Sequence, residues 1–280
     1  LLYLALARQD TTPLVEALRS RPAIAVTNQW ANFVRNHDEL TLDQLSESER
    51  EEVFAAFAPL ESQQVHGRGV VRRLPPMLDG DPRRTRMVYS LLFSLPGAPV
   101  LYYGEEIGMG EHPGLERTRT AVRTPMQWSD APNGGFSHAD PDDLTVPVVE
   151  GPYGPEHVNV SAQLHDPDSF LSFVRTLVHA YRRSPEIGWG DLEIHEQEDP
   201  AVLVHTMTGA TGQLLALHNL APEPRTITVT LPDADGTTRV VDMIGTTADE
   251  CDEAGCLRVS LDGYGHRWLR IVRRDEKRLL

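Results

Sequence analysis

The stretch FVRNHDEL, residues 33–40, carries an apolar, strand-like Phe33–Val34 straight into Asn36, His37 and Asp38. A strand that ends in a polar cluster is a common loop start. It is also how a parallel barrel presents catalytic side chains, because there the active site lies at the carboxyl ends of the strands. By residue type alone two plainer readings stay open: Asp38 as the cap of a helix over ELTLDQL, and His37 as a hydrogen-bonded core histidine. The remaining histidines show no metal-ligand spacing. Cys251 and Cys256, in a polar, turn-rich stretch, lack the further ligands of a metal site; a disulfide between them is open but unforced, and they read as reduced thiols of a cytoplasmic protein.

The elements that must hold these groups come in two styles. PLVEALR (13–19), with its Pro start and apolar spacing of three and four, predicts a short helix. WANFV (30–34) predicts a strand. TLDQLSESEREEVFAAF (41–57) predicts a helix capped by Thr41, with acidic residues in its first turn. DPRRTRMVYSLLFSL (81–95) predicts a strong helix with Asp81 as cap and Pro82 at the first position. APVLYY (98–103) predicts a buried strand that stops at Gly104, and DPDSFLSFVRTLVHAYRRS (166–184) another capped helix. Strand, helix, strand, helix is the grammar of the last two units of a (β/α)8 barrel. Residues 104–167 are rich in Gly, Pro, Asn and Asp without periodicity, and so long an irregular stretch is usually functional.

After Pro185 the pattern changes. AVLVHTM, QLLALHNL, RTITVTL, RVVDMI, CLRVSL and HRWLRIV are short strands separated by turn residues, the spacing of a small antiparallel sandwich. The fold class expected is α/β plus all-β. Residues 1–185 form a partial (β/α)8 barrel with a lid-like loop at 104–167, residues 186–273 an antiparallel β-sandwich domain, and residues 274–280 a tail without fixed structure.

Composition limits the partners. The 280 residues include 41 acidic and 26 basic side chains, and a net charge of −15 argues against a nucleic-acid partner. SESEREE (46–52) reads as an exposed acidic helix face. No apolar run approaches the roughly 20 residues of a membrane span. The opening LLYLALA lacks the basic flank of a signal peptide. The chain opens on Leu1 rather than Met, which points to a start inside something longer. Self-association stays open.

Here a resemblance becomes specific. FVRNHD resembles the end of the seventh strand in the α-amylase superfamily of retaining glycosidases and transglycosidases. GAPVLYYGEEIGMG (97–110) resembles the eighth strand and its loop. RTPMQW (123–128) followed by NGGFS (133–137) is similar to the oligo-1,6-glucosidase and trehalose synthase branch. RNHDELTL, RRLPPMLDGDPRR and LLFSLPGAPVLYYGEEIGMG resemble the trehalose synthases most, and LALARQDTTPLVEALRSRP resembles their sixth helical region. The likeness covers residues 1–185 strongly and the β domain loosely.

The resemblance implies retaining chemistry, which needs a carboxylate nucleophile and a carboxylic acid about 5–5.5 Å apart. A third carboxylate near the sugar hydroxyls favours the oxocarbenium-like transition state, and Asp38 matches its position. His37 is implied as a donor to those hydroxyls. Arg123 resembles the arginine that closes over the non-reducing glucose, its alternative being an ordinary loop ion pair. Arg119 is a further substrate-binding candidate. Glu105 and Glu106 are expected to act as scaffold, Trp128 and Phe136 as loop anchors, and Tyr102 and Tyr103 as barrel packing.

The family's nucleophile and acid end the fourth and fifth strands, and neither motif is in this sequence. The chain is therefore expected to be a carboxyl-terminal portion, inactive alone, of an enzyme interconverting maltose and trehalose. The alternatives are an α-glucosidase acting on short α-glucosides and a non-catalytic scaffold on the same fold. No cofactor is implied; the family's calcium sites cannot be assigned to residues here.

Overall fold

Apolar spacing at the amino terminus builds two short helices, α1 (Leu2–Arg8) and α2 (Thr12–Arg19), in a computed structural model that describes residues 1–25, 27–115 and 119–273. α1 buries Tyr3, Leu4, Ala5 and Leu6. In α2, Pro13 sits in the first turn, where its missing N–H leaves no bond unmade. The chain continues through β1 (Ala31–Asn32), β2 (Leu40–Thr41), α3 (Glu47–Phe57), β3 (Gln64–Val65) and β4 (Gly69–Val70). β2, β4 and β3 form a small antiparallel sheet in that order.

α3 starts later than its sequence suggests. Leu40–Thr41 is drawn into β2 by pairing with β4, and Leu42 and Leu45 are buried. Ser46, not Thr41, is the cap: its Oγ accepts from the Glu49 amide, while the Glu49 carboxylate accepts from the Ser46 amide at 2.9 Å. That reciprocal pair needs a glutamate three residues on, which Ser46 has.

α4 (Leu74–Met77) leads into α5 (Pro82–Ser94), whose cap Asp81 accepts from the Arg83 amide at 2.9 Å. β5 (Ala98–Pro99) then pairs in parallel with β1. Both strands are much shorter than the apolar runs that announced them. Among the described residues each has one neighbour; the last ladder bond runs from the Val100 amide to the Asn32 carbonyl at 2.7 Å, and the Tyr102 amide donates to the Glu105 carboxylate at 2.7 Å instead. Phe33 and Val100, flanking the pair, are half-exposed.

The described residues from 104 to 115 and from 119 to 159 form single 3₁₀ turns around a small core of Ile107, Met109, Met126 and Val149. Helices return with α6 (Val160–Leu164), α7 (Phe170–Arg182) and α8 (Pro185–Trp189). α7 is capped by Ser169, whose Oγ accepts from the Ser172 amide at 3.1 Å.

Eight strands follow: β6 (Asp191–His195), β7 (Val202–Gly209), β8 (Gly212–Asn219), β9 (Arg225–Thr230), β10 (Arg239–Asp242), β11 (Ala248–Glu250), β12 (Cys256–Leu261) and β13 (His266–Val272). Six make an antiparallel sheet in the order β11-β10-β13-β8-β7-β6, and β12 pairs with β9. β9 alternates, burying Ile227 and Val229 between outward threonines. β7 and β8 do not alternate. One face packs on Ile227, Val229, Leu257 and Val259, and the other meets α5 through His205 and His218, beside Trp268 of the neighbouring β13. A sheet covered on both faces reads as a continuous apolar run. β6 and β11 are too polar to stand out in the sequence. The architecture is part of a barrel followed by a β-rich domain.

Among the described residues no helix is long and apolar enough to cross a membrane, and no three His, Cys, Asp or Glu side chains are grouped to hold a metal ion. Cys251 and Cys256 are free thiols, and burial pushes the Cys251 pKa up. The expected tail, 274–280, lies outside the described residues.

Candidate active site

β1 delivers its polar cluster through a pinned backbone. Val34 is buried, and its carbonyl accepts from the Tyr3 hydroxyl at 2.7 Å. Arg35, also buried, donates to the Arg72 carbonyl at 2.6 Å and to the Asp38 carbonyl at 2.9 Å. The Asn36 side chain accepts from the Asp38 amide at 2.8 Å, closing an Asx turn. The Asp38 main chain is thus held at its amide and at its carbonyl, which fixes where its carboxylate stands.

That side chain is a meeting point. Oδ1 lies 2.9 Å from Arg123 Nη2 and 2.9 Å from Arg119 Nη1, and Oδ2 lies 3.2 Å from His37 Nε2. Arg123 Nε also donates to the His37 carbonyl at 2.8 Å. Arg119 Nε reaches Glu39 at 3.1 Å. All four residues singled out by sequence sit in one cluster, although some 80 residues separate its two halves. The plainer readings fail here. No helix starts at Asp38, and the His37 side chain is 61% exposed, so it is no core histidine. Arg123 is in an ion pair, but with the cluster's own carboxylate.

The Asp38 side chain remains 36% exposed. Exposed ion pairs contribute up to about 1 kcal/mol each, so an incoming polyol can compete with the guanidinium groups for the carboxylate. The cluster is a set of donors and one acceptor that a ring of hydroxyls could engage.

Behind it stands the YYGEE turn. The Tyr102 ring lies 6.3 Å from the His37 ring, and Tyr102 and Tyr103 pack edge to face at 4.5 Å. The Arg73 guanidinium covers both rings, at 5.0 and 5.3 Å, and donates to the carbonyls of Tyr103 and Val122. Glu105 is buried, accepts from the Tyr102 amide and from the Tyr89 hydroxyl at 2.9 Å, and has its pKa raised to about 7 by burial. Its scaffold reading fits these bonds. Gly104 allows the turn: its φ is +82°, and a Cβ there would collide with the Met109 sulfur.

Two expectations change, for Trp128 with Phe136 and for Tyr103. Glu106 lines a cavity of about 720 Å³ together with Tyr103, Arg123, Met126, Trp128 and Phe136. Trp128 and Phe136 do not anchor their loop, being 51% and 54% exposed. The anchor is Gln127, fully buried, whose side-chain amide donates to the carbonyls of Tyr153 and Val158. Tyr103 is half-exposed at the cavity, with its hydroxyl 2.6 Å from the Thr124 carbonyl. The sequence did carry a signal: NGG after the tryptophan forces a tight turn that leaves the flanking aromatics outside.

Comparison with known proteins agrees with this geometry. Residues 72–190 match the family described as "Alpha amylase, catalytic domain", and residues 212–270 match "Sucrose hydrolase-like, C-terminal domain". The chain belongs to the α-amylase superfamily. Within it the chain is similar to a trehalose synthase of Pimelobacter sp. (strain R48), 37% identical over 98% of this chain and 48% of that protein. An oligo-1,6-glucosidase of Parageobacillus thermoglucosidasius is more distant, 29% identical over 53% of this chain and 31% of that protein. The fold matches the crystal structure of an alpha-amylase from H. orenii with a TM-score of 0.65 at 20% identity, over 96% of this chain and 46% of that one. The chain spans about half the length of the curated relatives it matches most fully.

Proposed function

We propose that these residues are the carboxyl-terminal portion of a cytoplasmic, trehalose synthase-like enzyme that interconverts maltose and trehalose with retention at the anomeric carbon. The observation that carries the reading is Asp38, fixed at the carboxyl end of β1 and surrounded by His37, Arg119 and Arg123, in a chain whose relatives include trehalose synthases. Residues 1–185 supply part of the catalytic barrel, and 186–273 form the β-sandwich domain that braces α5.

In this reading Asp38 accepts from hydroxyls of the glucosyl ring. Its negative charge favours the flattened, positively charged transition state over the ground state. His37 donates to the same ring. Arg123 and Arg119, which share Asp38 in the free site, turn toward the sugar and close the non-reducing end. The nucleophile and the acid/base carboxylate come from residues outside this chain, so the chain alone does not turn over. The 104–167 stretch acts as a lid that limits water, which isomerisation requires and hydrolysis does not. The test is to supply maltose to the complete enzyme carrying this chain and measure trehalose against glucose. Trehalose as the main product supports the reading; glucose as the dominant product assigns the chain to an α-glucosidase.

A further inference from the structure

The cavity beside Arg123 has a floor that the Asp38 cluster does not use. Trp128 and Phe136 are large, apolar and half-exposed, and both face the cavity with Met126 and Tyr103. Isolated exposed aromatics are ordinary; two on the rim of one cavity, held by a rigid turn, are not.

The turn is built for the purpose. Asn133, Gly134 and Gly135 adopt φ of +56°, +65° and +68° in succession. The Gly134 carbonyl accepts from the amides of Trp128 and Ser129 at 2.8 and 3.1 Å, tying the two limbs together. The Asn133 side chain donates to the carbonyls of Ser137 and Ala139 at 3.1 and 2.8 Å, and the Phe136 amide donates to the Asn133 carbonyl at 3.1 Å. With Gln127 buried beside Trp128 and bonded to the carbonyls of Tyr153 and Val158, Trp128 and Phe136 are preorganised where a flexible loop would let them collapse inward.

From this we infer that Trp128 and Phe136 form a stacking platform for the second hexose ring of a disaccharide, next to the ring engaged by Asp38. A hexopyranose offers one face of C–H groups, which pairs with an aromatic face, and an edge of hydroxyls, which Glu106 on the same cavity can accept. Arg123 belongs to both places: its guanidinium binds Asp38, and its side chain lines the cavity. The two sugar positions are therefore adjacent.

This inference rests on the proposed transglucosylation and gives the platform a specificity role within it. Once the glucosyl unit is esterified to the nucleophile, two acceptors compete. If the freed glucose attacks through its O1 hydroxyl, the ester bond breaks, the O1 proton passes to the acid/base carboxylate, and trehalose forms. If water attacks, its proton follows the same route and a second glucose forms. A platform that holds the freed glucose favours the first outcome. Trp128 and Phe136 are thus specificity-determining residues, acting on the partition between acceptors.

Two measurements test this. In the chain labelled at its tryptophan indoles, maltose titrated to millimolar concentration should move the Trp128 N–H resonance, and Phe136→Ala should weaken that response. In the complete enzyme, Trp128→Ala and Phe136→Ala should raise glucose released per trehalose formed by about three- to tenfold, the loss expected for one aromatic contact, while Trp128→Phe keeps the wild-type ratio. A silent Trp128 resonance, or alanine variants that slow turnover with an unchanged product ratio, overturns the platform. A moving resonance in an enzyme that makes neither trehalose nor glucose supports the platform and defeats the transglucosylation reading, so the two fail separately.

Discussion

Acid should weaken the seam between α5 and the β domain, and His205 sets the scale. His205 and His218 are fully buried and stack at 6.2 Å, and His218 stacks on His266 at 6.4 Å. His205 Nε2 lies 3.0 Å from the Ser94 carbonyl, His218 Nε2 lies 3.0 Å from Ser90 Oγ, and Trp268 Nε1 donates to that same Oγ at 3.0 Å. Neither His205 nor His218 has a partner for Nδ1 among the described residues. A second proton, placed on Nδ1 of either ring, would have no acceptor among the described residues.

Burial pushes the His205 pKa down from 6.5 to about 4 and His218 well below its ordinary value; His195 and His266 nearby add positive charge on protonation, while Asp242 partly offsets this at His266. The direction of the linkage is fixed by this. Above pH 6.5 both folded and unfolded chains hold His205 neutral, and stability is flat. Below it the unfolded chain takes up the proton and the folded chain resists until about pH 4, so stability falls as pH falls. The loss from His205 is about 2 kcal/mol at about pH 5 and approaches about 3 kcal/mol at about pH 4. Against a typical total of about 5–15 kcal/mol this is a large share. Urea unfolding of the β domain, followed by circular dichroism from about pH 8 to about pH 4, should show the midpoint dropping. His205→Phe should flatten the slope by about the amount given. An unchanged slope in that variant would refute a role for His205 in the acid response.

Other expectations follow from the site and the strands. In the complete enzyme Asp38→Asn should cut kcat by about a thousandfold or more with little change in binding; near-normal kcat would leave Asp38 only its structural bonds. Arg123→Lys should fail to rescue turnover, because an ammonium cannot reach Asp38 and the His37 carbonyl as a planar fork does; wild-type kinetics would reduce Arg123 to a surface ion pair. Gly104→Ala should destabilise by about 2 kcal/mol or more, from its positive φ and the Met109 contact, read from thermal unfolding. In the isolated chain, amides at 30–36 and 98–103 should exchange quickly, since among the described residues β1 and β5 pair only with each other; strong protection in a monomer would contradict this.

What the sequence made legible depended on how local the cause was. α5 is readable because Asp81 and the thirteen helical residues that begin with Pro82 lie in one stretch. The cap of α3 was misplaced because Thr41 is claimed by β4, 28 residues on, which no local pattern records. WANFV and APVLYY promise longer strands than form for the same reason: apolar runs announce burial, and a ladder needs neighbours as well. β6 and β11 hid behind Asp, Glu and His. In the site, Asp38 and His37 could be picked out by their place after a strand, while Arg119 and Arg123 rested on resemblance alone. The structure brings the four together. Trp128 and Phe136 stand exposed where large aromatics are usually interior, beside the positive-φ run Asn133–Gly135.

Arg72 and Arg73 carry a consequence for how such a chain can diverge. The Arg72 carbonyl receives Arg35 beneath Asp38, while the Arg73 guanidinium grips the carbonyls of Tyr103 and Val122, just before Arg123. One dipeptide therefore acts as a gauge block between the two loops that meet in the site. Every one of those bonds ends on a main-chain carbonyl, which any amino acid supplies. Side chains at positions such as 122 can drift without altering the gap, whereas adding or removing a single residue on either side of Arg72–Arg73 would offset one loop against the other. In homologues, loop length around this dipeptide should be held more tightly than loop identity, and aligned gaps will say more about a working site than aligned letters.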